Sequence, residues 1–182
     1  AAYWVEAAGW PLQRGRDAWD YLTYFASLAD GDTPFRMVML FRTPVAPLFL
    51  GTPLALGGAA LLSLVLSLAF TATVLLWAAA IGAVSRPAGL VTGLLVAAVP
   101  AFGLPFHEAS SDAFAALAFP LLALAFVRAV DQPTWRRFAL VGLAVALATL
   151  TRPANEVLLL ACVAPLVTSG RLRARVVLAI AS

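Results

Sequence analysis

The sequence predicts an all-α protein, a polytopic bundle of transmembrane helices entered through a long first loop. Three observations carry that expectation. Of 182 residues, 63 % are hydrophobic and only 12 % charged, against ~45–50 % and ~25 % in an ordinary soluble domain. The mean hydropathy is +0.94. The apolar residues fall in runs separated by short polar islands, the pattern of chains that cross a bilayer repeatedly.

The remaining totals exclude several classes. All the basic charge is arginine, and the net charge of +3 comes without a basic cluster interleaved with aromatics, so no nucleic-acid partner is expected. The single cysteine, Cys162, sits in an apolar run and offers neither a disulfide nor a thiolate metal site. The chain opens Ala-Ala-Tyr-Trp and stops within the apolar run 176–181, so it reads as a fragment.

Residues 1–52 are expected to form an extracytoplasmic loop with short interfacial helices. Tyr3, Trp4 and Trp10 suit a membrane–water boundary. From Asp17 to Leu28, Tyr21, Tyr24, Phe25 and Leu28 recur at helical spacing and mark one face. Asp30-Gly31-Asp32 with Pro34 is a turn signal. The segment 35–41, flanked by Arg36 and Arg42, fits a helix lying in the interface, and Pro44 and Pro47 break it.

Residues 53–182 are expected to hold about five spans and the start of another. The uncharged runs 54–84 and 88–106 span out and back, with Pro100 and Pro105 placed to kink or end the second. Residues 113–127 span a third time. The run 138–150 is too short alone, so either Trp135 and Thr151 extend it or the membrane side is a cavity. Residues 154–167 cross again.

The turns then alternate between two faces. One face receives Arg86, Arg128, Arg136, Arg137, Arg171, Arg173 and Arg175. Short arginine-rich loops stay cytoplasmic. The other face, outside, receives the opening loop, the island 107–112 and Thr151-Arg152-Pro153. An integral protein of a bacterial plasma membrane with an extracytoplasmic site follows as the expectation.

The acids on that outer face are the candidates for chemistry. A carboxylate in a partly desolvated cavity becomes a better base near neutral pH. Asp17 is the first choice; its competing reading is a solvated acid at a helix start, stabilised by the dipole. Asp20 is a second acid of the same kind, and Tyr21 lines the same aromatic helix. His107 and Glu108 stand in very apolar surroundings and suit a sugar hydroxyl or a divalent metal ion. Two neighbouring ligands do not make a metal site, so no metal ligand is assigned. Asp112 reads as a first-turn acid behind a Ser110 or Ser111 cap. Arg152 needs a partner at the membrane boundary. Glu156, four residues on, is one; a lipid phosphate gripped by two hydrogen bonds is the other. Arg42 has similar alternatives.

RDAWDY, ADGDTPFR and FRTPVAPLFLG, followed by HEASSDAFAAL and ATLTRPANEVLLL, together resemble the GT-C glycosyltransferases. These include the dolichyl-phosphate-mannose protein mannosyltransferases and the bacterial aminoarabinose transferases. The positions that carry the resemblance are Asp17, Tyr21, Gly31, Pro34, Phe35 and Pro44. It implies a membrane transferase with a polyprenyl-phosphate sugar donor and a glycan, lipid or protein acceptor. It further implies inversion at the sugar, with Asp17 as the base and Arg152 at the donor phosphate. The chain departs from the pattern in having Asp17-Ala18 where many members have Asp-Glu, and in spreading a Pro-Pro pair to Pro44 and Pro47. A multi-pass transporter subunit is the alternative. It would place charges at mid-membrane, whereas here they gather at helix ends.

Overall fold

The computed structural model describes residues 3–4, 8, 12–15, 17–31 and 43–160. The described elements are helical: α1 (Ala18–Ala29), α2 (Val45–Gly82), α3 (Arg86–Ala98), the one-turn α4 (Pro100–Gly103), a 3-10 turn Leu104–His107, α5 (Asp112–Asp131), α6 (Trp135–Thr151) and a 3-10 turn Pro153–Leu158. The expected all-α membrane bundle is the fold observed. The interfacial segment 35–41 and the crossing from residue 161 onward lie outside the described residues.

Helix α1 starts one residue later than its aromatic spacing suggests, with Asp17 at the N-cap position, and buries Ala18 and Tyr21. Gly31 ends it: at φ 65° it adopts the left-handed conformation, and its N–H reaches back to the Leu28 carbonyl at 3.4 Å. The Phe25 ring then lies directly on Gly51 of α2, where a Cβ would come within 2.1 Å of the ring.

Helix α2 runs 38 residues without a charge, through the expected loop boundary at 52/53. Its break falls at Gly57 and Gly58. Gly58 sits at φ 62°, ψ −160°, a region open essentially to glycine. Beyond the break, Leu62, Leu66, Ala69 and Phe70 face the core. The hydroxyls of Ser67, Thr71 and Thr73 each donate to a carbonyl one turn back, so α2 satisfies its own polar side chains in an apolar setting.

Two close pairings hold the rest. Helix α3 lies on α2 through small residues: a Cβ at Gly89 would stand 2.5 Å from both the Ala78 carbonyl and the Gly82 Cα, and Gly93 faces Ala78. Spacing of small residues four apart lets two backbones approach in this way. Helix α5 packs between α2 and α6, and α6 presents Val141, Ala144, Val145 and Ala148 to it.

Two described helices, α2 and α5, are long and apolar enough to cross a membrane. Helices α3 and α4 with the following turn make a third apolar stretch, but bent by 77°. The bend occurs at Val99, extended at φ −90° and ψ 113° as the residue before a proline prefers. The sequence allowed for a kink at Pro100. What it did not show is that the chain turns inward there, to bury Phe106 and His107. Helix α6 does begin at Trp135 and end at Thr151, the first of the two alternatives its length left. Its 17 residues rise about 26 Å, short of the ~30 Å hydrocarbon core.

Candidate active site

Part of the polar set meets at the end of the bundle that carries α1: the opening segment with the 107–112 island, and Arg152 with Asp112. The first of these joins is made by backbone. Gln13 pairs with Glu108 in a short parallel bridge. The Gln13 N–H donates to the His107 carbonyl at 2.8 Å, and the Ala109 N–H donates to the Gln13 carbonyl at 3.0 Å. Two residues on, Gly15 meets the same segment so closely that a Cβ would stand 2.9 Å from the Ala109 oxygen. The opening segment is thereby fixed to the 107–112 island just before it turns into α1 at Asp17.

Aromatic contact reinforces the bridge. Tyr3 stacks on His107, ring centroids 4.4 Å apart and planes 14° from parallel, with Trp4 edge-on to Tyr3 at 5.2 Å. Both Tyr3 and His107 are buried. Burial pushes the Tyr3 hydroxyl above its usual range, and a hydrogen bond with Ser63 of α2 draws it part of the way back.

Asp17 occupies the N-cap position of α1, half-buried, without a side-chain capping bond. Asp20 lies in the first turn, also half-buried, while Tyr21 is 4 % exposed. Glu108 is extended and half-buried beside Gln13. Arg42 lies outside the described residues. Among the described residues no three His, Cys, Asp or Glu side chains are grouped to hold a metal ion.

Arg152 corrects one expectation. Its ion-pair partner is Asp112, Nη1 to Oδ1 at 2.5 Å, rather than Glu156. The reason is local geometry. Arg152 is extended, φ −148° and ψ 122°, and the chain continues into a 3-10 turn. Residues four apart come within side-chain contact when an α-helical turn stacks them; no such turn starts at Arg152, so Glu156 is not carried over it. Asp112 is brought there instead by the start of α5, where its N–H bonds the Ser110 Oγ at 3.2 Å. The expected serine cap is therefore Ser110; Ser111 makes no side-chain capping bond. Both members of the pair are about half-exposed, at 51 % and 49 %, so the guanidinium remains open to solvent on one side.

Thr151 and Asn155, the latter not singled out from the sequence, close the helix end beside this arginine. The Ala148 carbonyl at the end of α6 accepts from Thr151 Oγ1 at 2.7 Å, from Asn155 Nδ2 at 2.9 Å and from the Arg152 N–H at 3.3 Å. Asn155 so closes the helix end that aims Arg152 toward α5. An amide just after Thr-Arg-Pro was the available signal. Tyr3 and Gln13 carried no spacing signal, because their partners are about a hundred residues away.

The bridge links the segment that leads to Asp17 with His107 and Glu108, and Asp112, four residues on from Glu108, pairs with Arg152. The arrangement has the parts for deprotonating a hydroxyl and for holding an anion. A family model described as dolichyl-phosphate-mannose-protein mannosyltransferase matches residues 41–181. His107, Glu108, Asp112, Arg152 and Arg42 fall inside the match, while Asp17, Asp20 and Tyr21 precede it. No curated protein and no solved structure matches the chain.

Proposed function

Because the chain belongs to the dolichyl-phosphate-mannose-protein mannosyltransferase family, and so is a membrane glycosyltransferase, we propose that it moves a sugar from a polyprenyl-phosphate donor to an acceptor hydroxyl. The acceptor is a glycan, a lipid or a protein. The Asp17 carboxylate takes the proton of that hydroxyl. The acceptor oxygen then attacks the anomeric carbon on the face opposite the phosphate. The bond from that carbon to the phosphate oxygen breaks, and polyprenyl phosphate leaves with the electron pair. Inversion follows from the opposite-face attack. Arg152, with Arg42, neutralises the departing phosphate, since a guanidinium grips two phosphate oxygens at once. Asp20, Tyr21, His107 and Glu108 bind the sugar and its acceptor.

The backbone bridge between Gln13 and Glu108 carries this reading. It ties the segment leading to Asp17 to the island whose Asp112 pairs with Arg152, which supports reading Asp17 and Arg152 as parts of one site. The transporter alternative has no comparable support. The described charges lie at helix ends and in turns, and none stands in the middle of α2 or α5.

The site faces outward in this proposal, because Arg86, Arg128, Arg136 and Arg137 mark the opposite end. Two measurements test it. In proteoliposomes the protein transfers radiolabel from a polyprenyl-phosphate sugar to acceptor; failure with every lipid-linked sugar offered removes the proposed reaction. In intact cells, with Cys162 replaced by serine, a cysteine at exposed Gly31 reacts with an impermeant thiol reagent and one at exposed Gln132 does not. The reverse pattern overturns the orientation while leaving the reaction standing.

A further inference from the structure

The end of the bundle away from the candidate active site carries a second set of features that the transfer reaction does not use. Helices α5 and α6 leave a hollow of about 300 Å3 between them, lined by Leu121, Leu124, Leu140 and Leu143 and closed at one end by Arg128 and Arg137. A second hollow, of about 390 Å3, lies on the other side of Arg128. Its walls are Ala83 and Val84 from the end of α2 and Phe126, Val127, Val130 and Asp131 of α5. Arg128 is the residue the two share.

The charges around it differ in availability. Arg137 is engaged: it donates to the Arg128 carbonyl at 2.6 Å and to Gln132 Oε1 at 2.8 Å, and lies 3.9 Å from the Asp131 carboxylate. It closes the C-terminal end of α5. The Arg128 side chain makes no hydrogen bond or ion pair among the described residues, and Arg128 is exposed. Arg136 is also exposed, its guanidinium 5.7 Å over the ring of Trp135, and Trp135 is itself 75 % exposed. Four arginines, Arg86 included, face one aspartate on the described turns of this end.

We infer that this end binds an anionic glycerophospholipid, with its phosphate at Arg128 and Arg136 and one acyl chain in each hollow. The chemistry selects that ligand. A cation flanked by two apolar hollows matches a molecule with one anionic head and two apolar tails. Basic pockets between helices at a membrane boundary are where acidic headgroups bind. An exposed tryptophan beside them belongs at the depth of the headgroups. Asp131, on the wall of the second hollow, disfavours an anion, but its nearest cation is Arg137, which screens it.

The test is retention of lipid by the purified protein in mixed micelles, read by native mass spectrometry. Phosphatidylglycerol stays bound where phosphatidylcholine is lost. Arg128→Gln lowers phosphatidylglycerol retention roughly fivefold, the effect of removing one arginine near a membrane surface. Arg128→Lys, which keeps the charge, falls between. Val84→Trp fills the second hollow and weakens phosphatidylglycerol while leaving lysophosphatidylglycerol, with one chain, as before. Melting temperatures in phosphatidylcholine confirm that each variant folds. Equal retention of the two lipids by wild type overturns the inference, as does equal phosphatidylglycerol retention by wild type and Arg128→Gln, the result expected if residues 161–182 fill the hollow. A raised donor KM in Arg128→Gln also overturns it, because the hollow would then serve the sugar donor.

Discussion

At the end of the bundle that carries α1, polar groups are half-buried or buried and bonded to one another across long stretches of sequence. At the other end, arginines stand exposed on short turns and the helices meet through glycine and alanine. The same helices serve both ends. The difference lies in what joins them. Gln13 reaches residues 107–109, and Arg152 reaches Asp112, forty residues away. By contrast, Gly82 and Gly89 meet within one tight hairpin, and Arg137 closes a turn only nine residues long. Long-range polar contacts fix a constellation of side chains; short-range apolar contacts fix the axes of helices. A change at one end should therefore read out as chemistry, and a change at the other as stability.

The largest expected effect is at Asp17. A general base contributes typically ~10²–10⁴-fold to rate. Asp17→Asn, nearly isosteric, loses a factor in that range in kcat, while melting temperature and donor binding stay close to wild type. Asp20→Asn, one turn into α1, costs less. Initial rates of sugar transfer, normalised to folded protein, check the comparison. Should Asp20→Asn abolish transfer while Asp17→Asn keeps it, the base is Asp20. If neither slows transfer, the catalytic role of α1 goes.

Next in size is Gly89, at the opposite end. A side chain there would overlap the Ala78 carbonyl and the Gly82 backbone. Overpacking a close contact costs typically ~1–3 kcal/mol. Gly89→Leu therefore lowers the melting temperature and leaves the donor KM of the remaining folded protein unchanged. A normal melting temperature would mean that α2 and α3 slide apart without cost. A raised KM would mean that the two ends are coupled and the division drawn above is too sharp.

How much of this was legible in the sequence follows the same division. The membrane helices were, because runs of uncharged residues have one stable home. Arg128 at the close of α5, Trp135 at the start of α6 and the turn at Gly31 were readable from local residue types. The grouping of the opening loop with the islands at 107 and 151 followed from counting turns. The contacts that join them did not. The stacking of Tyr3 on His107 and the pairing of Gln13 with Glu108 depend on how α2 kinks at Gly58 and how the chain bends at Val99. Glu156, one of the two partners weighed for Arg152, fails because helical spacing does not hold where the backbone is extended.

That pair gives the smallest expected effect and the finest test of what Arg152 does. Both side chains are half-exposed, and exposed ion pairs contribute only about 0.2–1 kcal/mol. A double-mutant cycle of Asp112→Asn with Arg152→Gln, followed by thermal melting, is expected to return a coupling in that range. The same cycle with Glu156→Gln in place of Asp112→Asn returns none. Arg152→Lys then separates pairing from phosphate binding. The contact with Asp112 runs through one nitrogen to one oxygen, and a lysine ammonium can reproduce a single contact. It cannot reproduce the two-point grip of a guanidinium on phosphate. Arg152→Lys therefore keeps the melting temperature but raises the donor KM, with kcat at saturating donor changed less. An unchanged KM would leave Arg152 as a clasp between α5 and α6 with no part in holding the donor. A lowered melting temperature together with an unchanged KM would show that the geometry of the pair with Asp112, rather than its charge, is what the guanidinium supplies.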